Sequence, residues 1–152
     1  MASKYKYVCG GVKNTCMTSN KRPSKVLHIT LWIVQILLSV SLIWASLTKL
    51  FQPIAALSAM WPWTGQLPIG VVRATGLVDL LGGLGLVLPS LLRIRPGLTS
   101  ITAGCVVLLM ICAAIFHVVR GEAAVIGVNI VFALMAAFVA WGRGQKAHIA
   151  AN

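Results

Sequence analysis

From Val26 to Thr48 the chain runs for 23 residues without a formal charge, bracketed by Lys25 and Lys49. At 1.5 Å per residue a helix of that length crosses the roughly 30 Å hydrocarbon core of a bilayer. A signal peptide also places a basic region before an apolar run, but its apolar part reaches about 15 residues at most and ends at small residues. This run is longer and ends in Lys49-Leu50-Phe51-Gln52-Pro53. It reads as a first transmembrane helix.

The pattern repeats three times. A second span runs from about Pro68 to Leu88 with Arg73 and Asp79 inside it, and Pro89 is expected to stop it before the turn carrying Arg93 and Arg95. Pro96 to Val119 gives 24 residues without charge, Arg120-Gly121-Glu122 makes a tight connection, and Ala123 to Trp141 forms the fourth span, ended by Gly142-Arg143-Gly144. Between the first two spans, Phe51 to Leu67 holds Pro53, Pro62, Gly65 and the pair Trp61/Trp63, so it reads as an interfacial loop with one short helix at the headgroups. The expected fold class is an all-α membrane protein, a four-transmembrane-helix bundle. Its parts are a basic, disordered tail over 1–25, a membrane domain over 26–143 (helices about 26–49, 68–88, 96–119 and 123–141) and a short tail over 144–152.

Charge supplies the orientation. Thirteen Lys and Arg face two acids, a net +11 that would suggest nucleic acid if the cations formed a basic face. They do not: six precede residue 26 and the rest punctuate apolar runs, so nucleic-acid binding is excluded. With both termini cytoplasmic, ten Lys and Arg fall on the cytoplasmic side and three, Lys49, Arg73 and Arg120, on the other, in line with the positive-inside rule. The expected location is a bacterial inner membrane, multi-pass. Met17-Thr18-Ser19-Asn20 is also compatible with a translation start.

In lipid, small and polar residues mark the faces that turn inward. Gln35, Ser39, Leu42, Ser46 and Lys49 form one seam on the first helix, and Asn129, Ala133, Ala136 and Ala140 form another on the fourth. Thr75, Gly76, Asp79, Gly82 and Gly83 crowd one side of the second; Ala103, Met110, Ala113, Ala114 and His117 lie along the third. Cys105 and Cys112, seven residues apart, are expected to be small buried apolar residues, about 10 Å apart along the axis and out of disulfide reach.

The ionisable residues converge on one membrane surface. Lys49 closes the first helix, Arg73 lies about one and a half turns into the second, and His117, Arg120 and Glu122 gather at the end of the third. Asp79 falls about 16 Å from Pro68, near the bilayer centre, and Asn129 about two turns into the fourth helix. An aspartate at that depth costs at least about 3 kcal/mol on insertion scales unless paired, protonated or wetted, and Arg73 or Lys49 is the expected partner. Lys49, Arg73, Asp79, His117, Arg120, Glu122 and Asn129, with Gln35 further along the first helix, are the candidate ligand-binding or polar-network residues. No residue is assigned a catalytic role.

Other chemistry is constrained by what is missing. His28 and His117 sit at opposite ends of the bundle, so axial haem ligation is excluded, and no Cys or His spacing suits a metal. No phosphate-binding glycine motif is present. Two acids leave little scope for paired-carboxylate catalysis. The chain thus has no cofactor of its own; in a redox role its electron carrier is a bound diffusible molecule such as a quinone, or belongs to a partner protein.

Thr48-Lys49-Leu50-Phe51 at the end of the first span, Arg73 followed by the run Gly76-Leu77-Val78-Asp79-Leu80-Leu81-Gly82-Gly83-Leu84-Gly85-Leu86-Val87-Leu88-Pro89, and His117 with Gly121-Glu122 and Asn129 together resemble the DoxX-like family of small bacterial membrane proteins. The resemblance covers about Leu27 to Arg143. The family usually has glutamate where this chain has Asp79, an acid one methylene shorter. The resemblance implies a four-helix inner-membrane bundle, and for some relatives a link to quinone-dependent sulfur oxidation or membrane oxidoreductase assemblies. Three functions compete: a quinone- or lipid-binding subunit of a membrane redox system; a non-catalytic assembly or stress-response partner whose polar network is structural; and a small transporter acting as a homo-oligomer, which the lack of a broken helix pair disfavours. All three place the chain in the lipid bilayer.

Overall fold

The computed structural model describes residues 25–92 and 97–146. Residues 1–24 of the basic tail expected over 1–25, the turn with Arg93 and Arg95, and residues 147–152 lie outside the described residues, while Lys25 already belongs to the first helix. Five α-helices follow in order: α1 Lys25–Phe51, α2 Ile54–Met60, α3 Ile69–Leu92, α4 Gly97–Val119 and α5 Ala123–Trp141. A 3₁₀ turn, Pro62–Gly65, follows α2, and a π-helical turn, Gly142–Lys146, follows α5. Among the described residues there is no strand, and α1, α3, α4 and the segment Ala124–Gln145 are long and apolar enough to cross a membrane. The chain is an all-α, four-span bundle.

Two helix pairs build it. α1 packs along α3, and α4 along α5. The first pair is close because α3 offers glycine at the contact: a Cβ on Gly83 would stand 2.8 Å from Ile43 Cγ1 and 3.1 Å from the Ser39 carbonyl, and one on Gly76 3.0 Å from Lys49 Cβ. Backbones that approach this closely gain dispersion contacts, the main driving force in lipid. Ser39 Oγ uses the proximity to donate to the Gly83 carbonyl at 2.7 Å.

The pairs join in one half of the bundle only. There Leu38, Leu42, Leu86, Ala103, Val106, Met110, Ala136 and Val139 form the core, with the Ser90 and Thr99 hydroxyls 2.7 Å apart between α3 and α4. Ser100 Oγ donates to the Ala140 carbonyl at 2.9 Å, fastening α4 to α5. Gly142 lies against the Leu31 side chain so closely that a Cβ there would force Leu31 to shift.

One boundary differs from the sequence reading. Pro89 does not stop its helix: α3 continues to Leu92. Proline deprives the Gly85 carbonyl of its N–H partner, a loss that a packed transmembrane bundle tolerates. The following carbonyl, Leu86 O, accepts from Gln35 Nε2 at 2.6 Å, which ties this stretch of α3 to α1. α5 ends at Trp141, where Gly142-Arg143-Gly144 is expected to end it, and the chain then passes into the π turn, from which Arg143 reaches inward to Gln35. Cys105 and Cys112 are exposed rather than buried.

Candidate functional site

Toward the Lys49 end the two pairs separate around a cavity of about 770 Å³. Its walls come from Val40–Lys49 of α1, Val71–Asp79 of α3, Leu109–His117 of α4 and Val125–Phe132 of α5, with Trp61, Trp63 and Leu67 from the linking segment. Most of the wall is apolar. The polar groups are few: Lys49, Asp79, His117, Asn129, Thr75 and Ser41.

Lys49 Nζ donates to Asp79 Oδ2 at 2.6 Å, with both side chains largely buried. Burial strengthens the attraction within this pair but costs both charges their hydration, and it makes either partner costly to leave alone. The ammonium lies 5.6 Å from the ring centres of both Trp61 and Trp63, an aromatic cradle that favours the cation. Trp61 packs edge-on to Trp44, and Trp63 edge-on to Phe116, so the cradle is braced against α1 and α4.

Arg73 is not the partner of Asp79. Its Nη1 donates to the Lys49 carbonyl at 2.7 Å and its Nη2 to the Gln52 carbonyl at 3.2 Å, so it caps the C-terminal end of α1, where carbonyls lack helical partners and a cation is favoured.

A second ionic group sits beside the cavity mouth. Glu122 accepts from Arg120 Nε and Nη2 at 3.0 and 2.8 Å, and its other oxygen is 2.7 Å from His117 Nδ1. The Arg120 and His117 hydrogen bonds hold the Glu122 carboxyl below its usual range. The turn that brings them together needs Gly121 at φ 71°, the left-handed region. Arg120 also donates to Gln66 Oε1 at 2.7 Å, tying the α4–α5 turn to the segment before α3.

Of the eight residues singled out from sequence, Lys49, Asp79, His117 and Asn129 line the cavity; Arg73, Arg120 and Glu122 support its rim. Gln35 belongs elsewhere. It lies fourteen residues before Lys49 on the same helix, about 21 Å away, in a second polar cluster where its Oε1 accepts from Arg143 Nε at 3.0 Å. Arg143 is 3% exposed, with its guanidinium 4.9 Å from the Trp32 ring and Nη1 3.4 Å from His28 Nδ1. The sequence reading treated Arg143 as a cytoplasmic surface charge. It also passed over Trp61 and Trp63 as cavity residues, although their placement between Lys49 and the start of α3 was a usable signal.

Asn129 Nδ2 is buried and has no hydrogen-bond partner. An unpaired buried amide is costly in lipid, and this one meets an acceptor in the cavity when the side chain turns toward it.

A family model described as the DoxX-like family matches residues 33–139, which takes in all four spans. The chain belongs to the DoxX-like family. Searches of curated proteins and of solved structures gave no match. In this DoxX-like protein the matched stretch contains every cavity-lining residue from Val40 to Phe132.

Proposed function

We propose that this DoxX-like protein is a binding subunit for a membrane-resident amphiphile with an uncharged head rich in hydrogen-bond acceptors, a quinone being the type case, and that it serves a membrane redox system. The observation carrying this reading is the cavity itself: aromatic and aliphatic walls ending on a self-neutralised Lys49–Asp79 pair and an unpartnered Asn129 amide. An apolar pocket with a few converging polar groups is the usual form of a small-molecule site. Because Lys49 and Asp79 cancel each other, the cavity favours a neutral head over an ionic one. Electron transfer then rests with the bound molecule and a redox partner protein.

The same reading places the chain in a bacterial inner membrane with both termini cytoplasmic and the cavity end facing away from the cytoplasm, on the ten-to-three distribution of cations. A single cysteine at Gln66, in a chain otherwise free of cysteine, is expected to react with a membrane-impermeant maleimide added outside spheroplasts. Labelling only after the membrane is broken would reverse the orientation.

A second reading has its own support. Arg73 caps α1 and the Lys49–Asp79 pair bridges α1 to α3, so these residues also serve as fasteners of a purely structural assembly partner. Native mass spectrometry of gently extracted protein separates the two. A stoichiometric quinone or lipid, lost in Asp79→Asn, supports the binding role. A reproducible protein partner with no small molecule favours the assembly role.

A further inference from the structure

The cavity's opening identifies how its ligand arrives. Of its lining residues, Val40 is 60% exposed and Trp44 56% on α1 and Val128 53% on α5, against 46% for Val71 on α3. In a spanning helix such exposure is to hydrocarbon. At the Lys49 end the α4 side of the cavity is strapped: Trp63 packs edge-on to Phe116 with ring centres 5.9 Å apart, and Gln66 accepts from Arg120. Along Val40–Lys49 and Val125–Phe132, no hydrogen bond or ring contact joins α1 to α5 among the described residues. The water-facing end is roofed by Trp61 and Trp63, bound to Lys49. Asn129, with its unpartnered Nδ2, is on α5 one residue after Val128.

We infer that the gap between α1 and α5 is a lateral portal. The ligand enters from the bilayer with its long apolar tail left lying between Val40, Trp44 and Val128, and the Asn129 side chain, whose Nδ2 is otherwise packed into the wall and unpaired, turns to donate a hydrogen bond to its neutral head. The substrate class is therefore a tailed, uncharged lipid whose head carries a carbonyl or ether oxygen. This rests on the binding role proposed above and adds to it a route and a recognising residue. Headgroups with a net charge are disfavoured, because the ion pair already at the site leaves no unmatched charge to receive them.

The test compares two probes, 2,3-dimethoxy-5-methyl-1,4-benzoquinone with and without a decyl chain at position 6, titrated against the full chain in phosphatidylcholine nanodiscs. Quenching of tryptophan fluorescence reports binding, since three tryptophans line the cavity. Each affinity is corrected for the probe's partitioning into empty nanodiscs. Asn129→Ala is expected to weaken both probes about tenfold, the loss of one hydrogen bond in an apolar site; Asn129→Ser replaces it if the alanine variant is poorly helical by circular dichroism. Val128→Trp is expected to lower the tailed-to-tailless affinity ratio about tenfold, while Leu108→Trp, exposed on α4 away from the cavity, keeps it. If both probes bind the unaltered chain and Val128→Trp leaves the ratio unchanged, the portal is wrong and the binding role stands. Binding that survives Asn129→Ala and Asn129→Ser undiminished overturns the recognising role. If neither probe binds, the inference falls together with the reading beneath it.

Discussion

Among single residues, Asp79 and Lys49 bear the largest consequences. Removing one member of a buried ion pair leaves the other charge stranded, at a cost of about 3–5 kcal/mol, whereas replacing both with apolar residues is often neutral. Asp79→Asn is therefore expected to lower the thermal unfolding midpoint clearly in nanodiscs, and Lys49→Met with Asp79→Leu to recover most of it. If the double variant is stable but fails to retain a ligand, the pair belongs to the site and not only to the scaffold. Glu122 makes a pH prediction outside the membrane. Its carboxyl titrates lower when folded than its ordinary value of 4.5, so its contribution is fully present above that value and is lost as pH falls through the lower, folded one. Midpoints measured from pH 6 to 3 should fall less steeply in Glu122→Gln than in the unaltered chain. Equal slopes would mean that the Arg120 and His117 contacts do not stabilise the turn.

At the scale of elements, the α1–α3 contact is set by glycine spacing. Gly83→Ala forces a Cβ against Ile43 and the Ser39 carbonyl and is expected to destabilise by about 1–3 kcal/mol, the usual range for overpacking. Gly127→Ala on α5 meets open space and should stabilise slightly, since alanine is the better helix former by up to about 1 kcal/mol. Chemical denaturation of both variants in the same detergent checks the contrast; a Gly83→Ala protein as stable as Gly127→Ala would refute the close packing. The Gly83 contact face was legible in the sequence, since Gln35, Ser39, Leu42 and Ser46 fall on one seam and all are buried. The fate of Pro89 was not. Whether proline ends a helix depends on the packing around it, and here Gln35, more than fifty positions away, ties the adjacent Leu86 carbonyl to α1.

Across the whole molecule, the helices join through a core at one end and are held apart around the cavity at the other, where the linking segment straps them. Arg143 closes the fastened end through Gln35, which also holds Leu86. Arg143→Leu leaves Gln35 Oε1 buried without a donor, a penalty of about 1–3 kcal/mol. Adding Gln35→Leu removes the orphaned group, so the double variant is expected to unfold at a higher temperature than Arg143→Leu alone. A double variant less stable than the single one would show that Gln35 fastens α3 independently of Arg143.

The sequence by itself determined the four spans, their inward faces and the gathering of Lys49, Asp79, His117 and Glu122 toward one end, because charge spacing and helical periodicity are local properties that a bilayer converts directly into position. Which cation answers Asp79, that Trp61 and Trp63 cradle Lys49, that Gln35 belongs to Arg143, and that the cavity walls are mostly apolar were decided only by the tertiary structure. Each depends on the rotation and separation of helices distant in the chain. Those are fixed by glycine contacts and side-chain hydrogen bonds between helices, which no single helix carries in its own sequence.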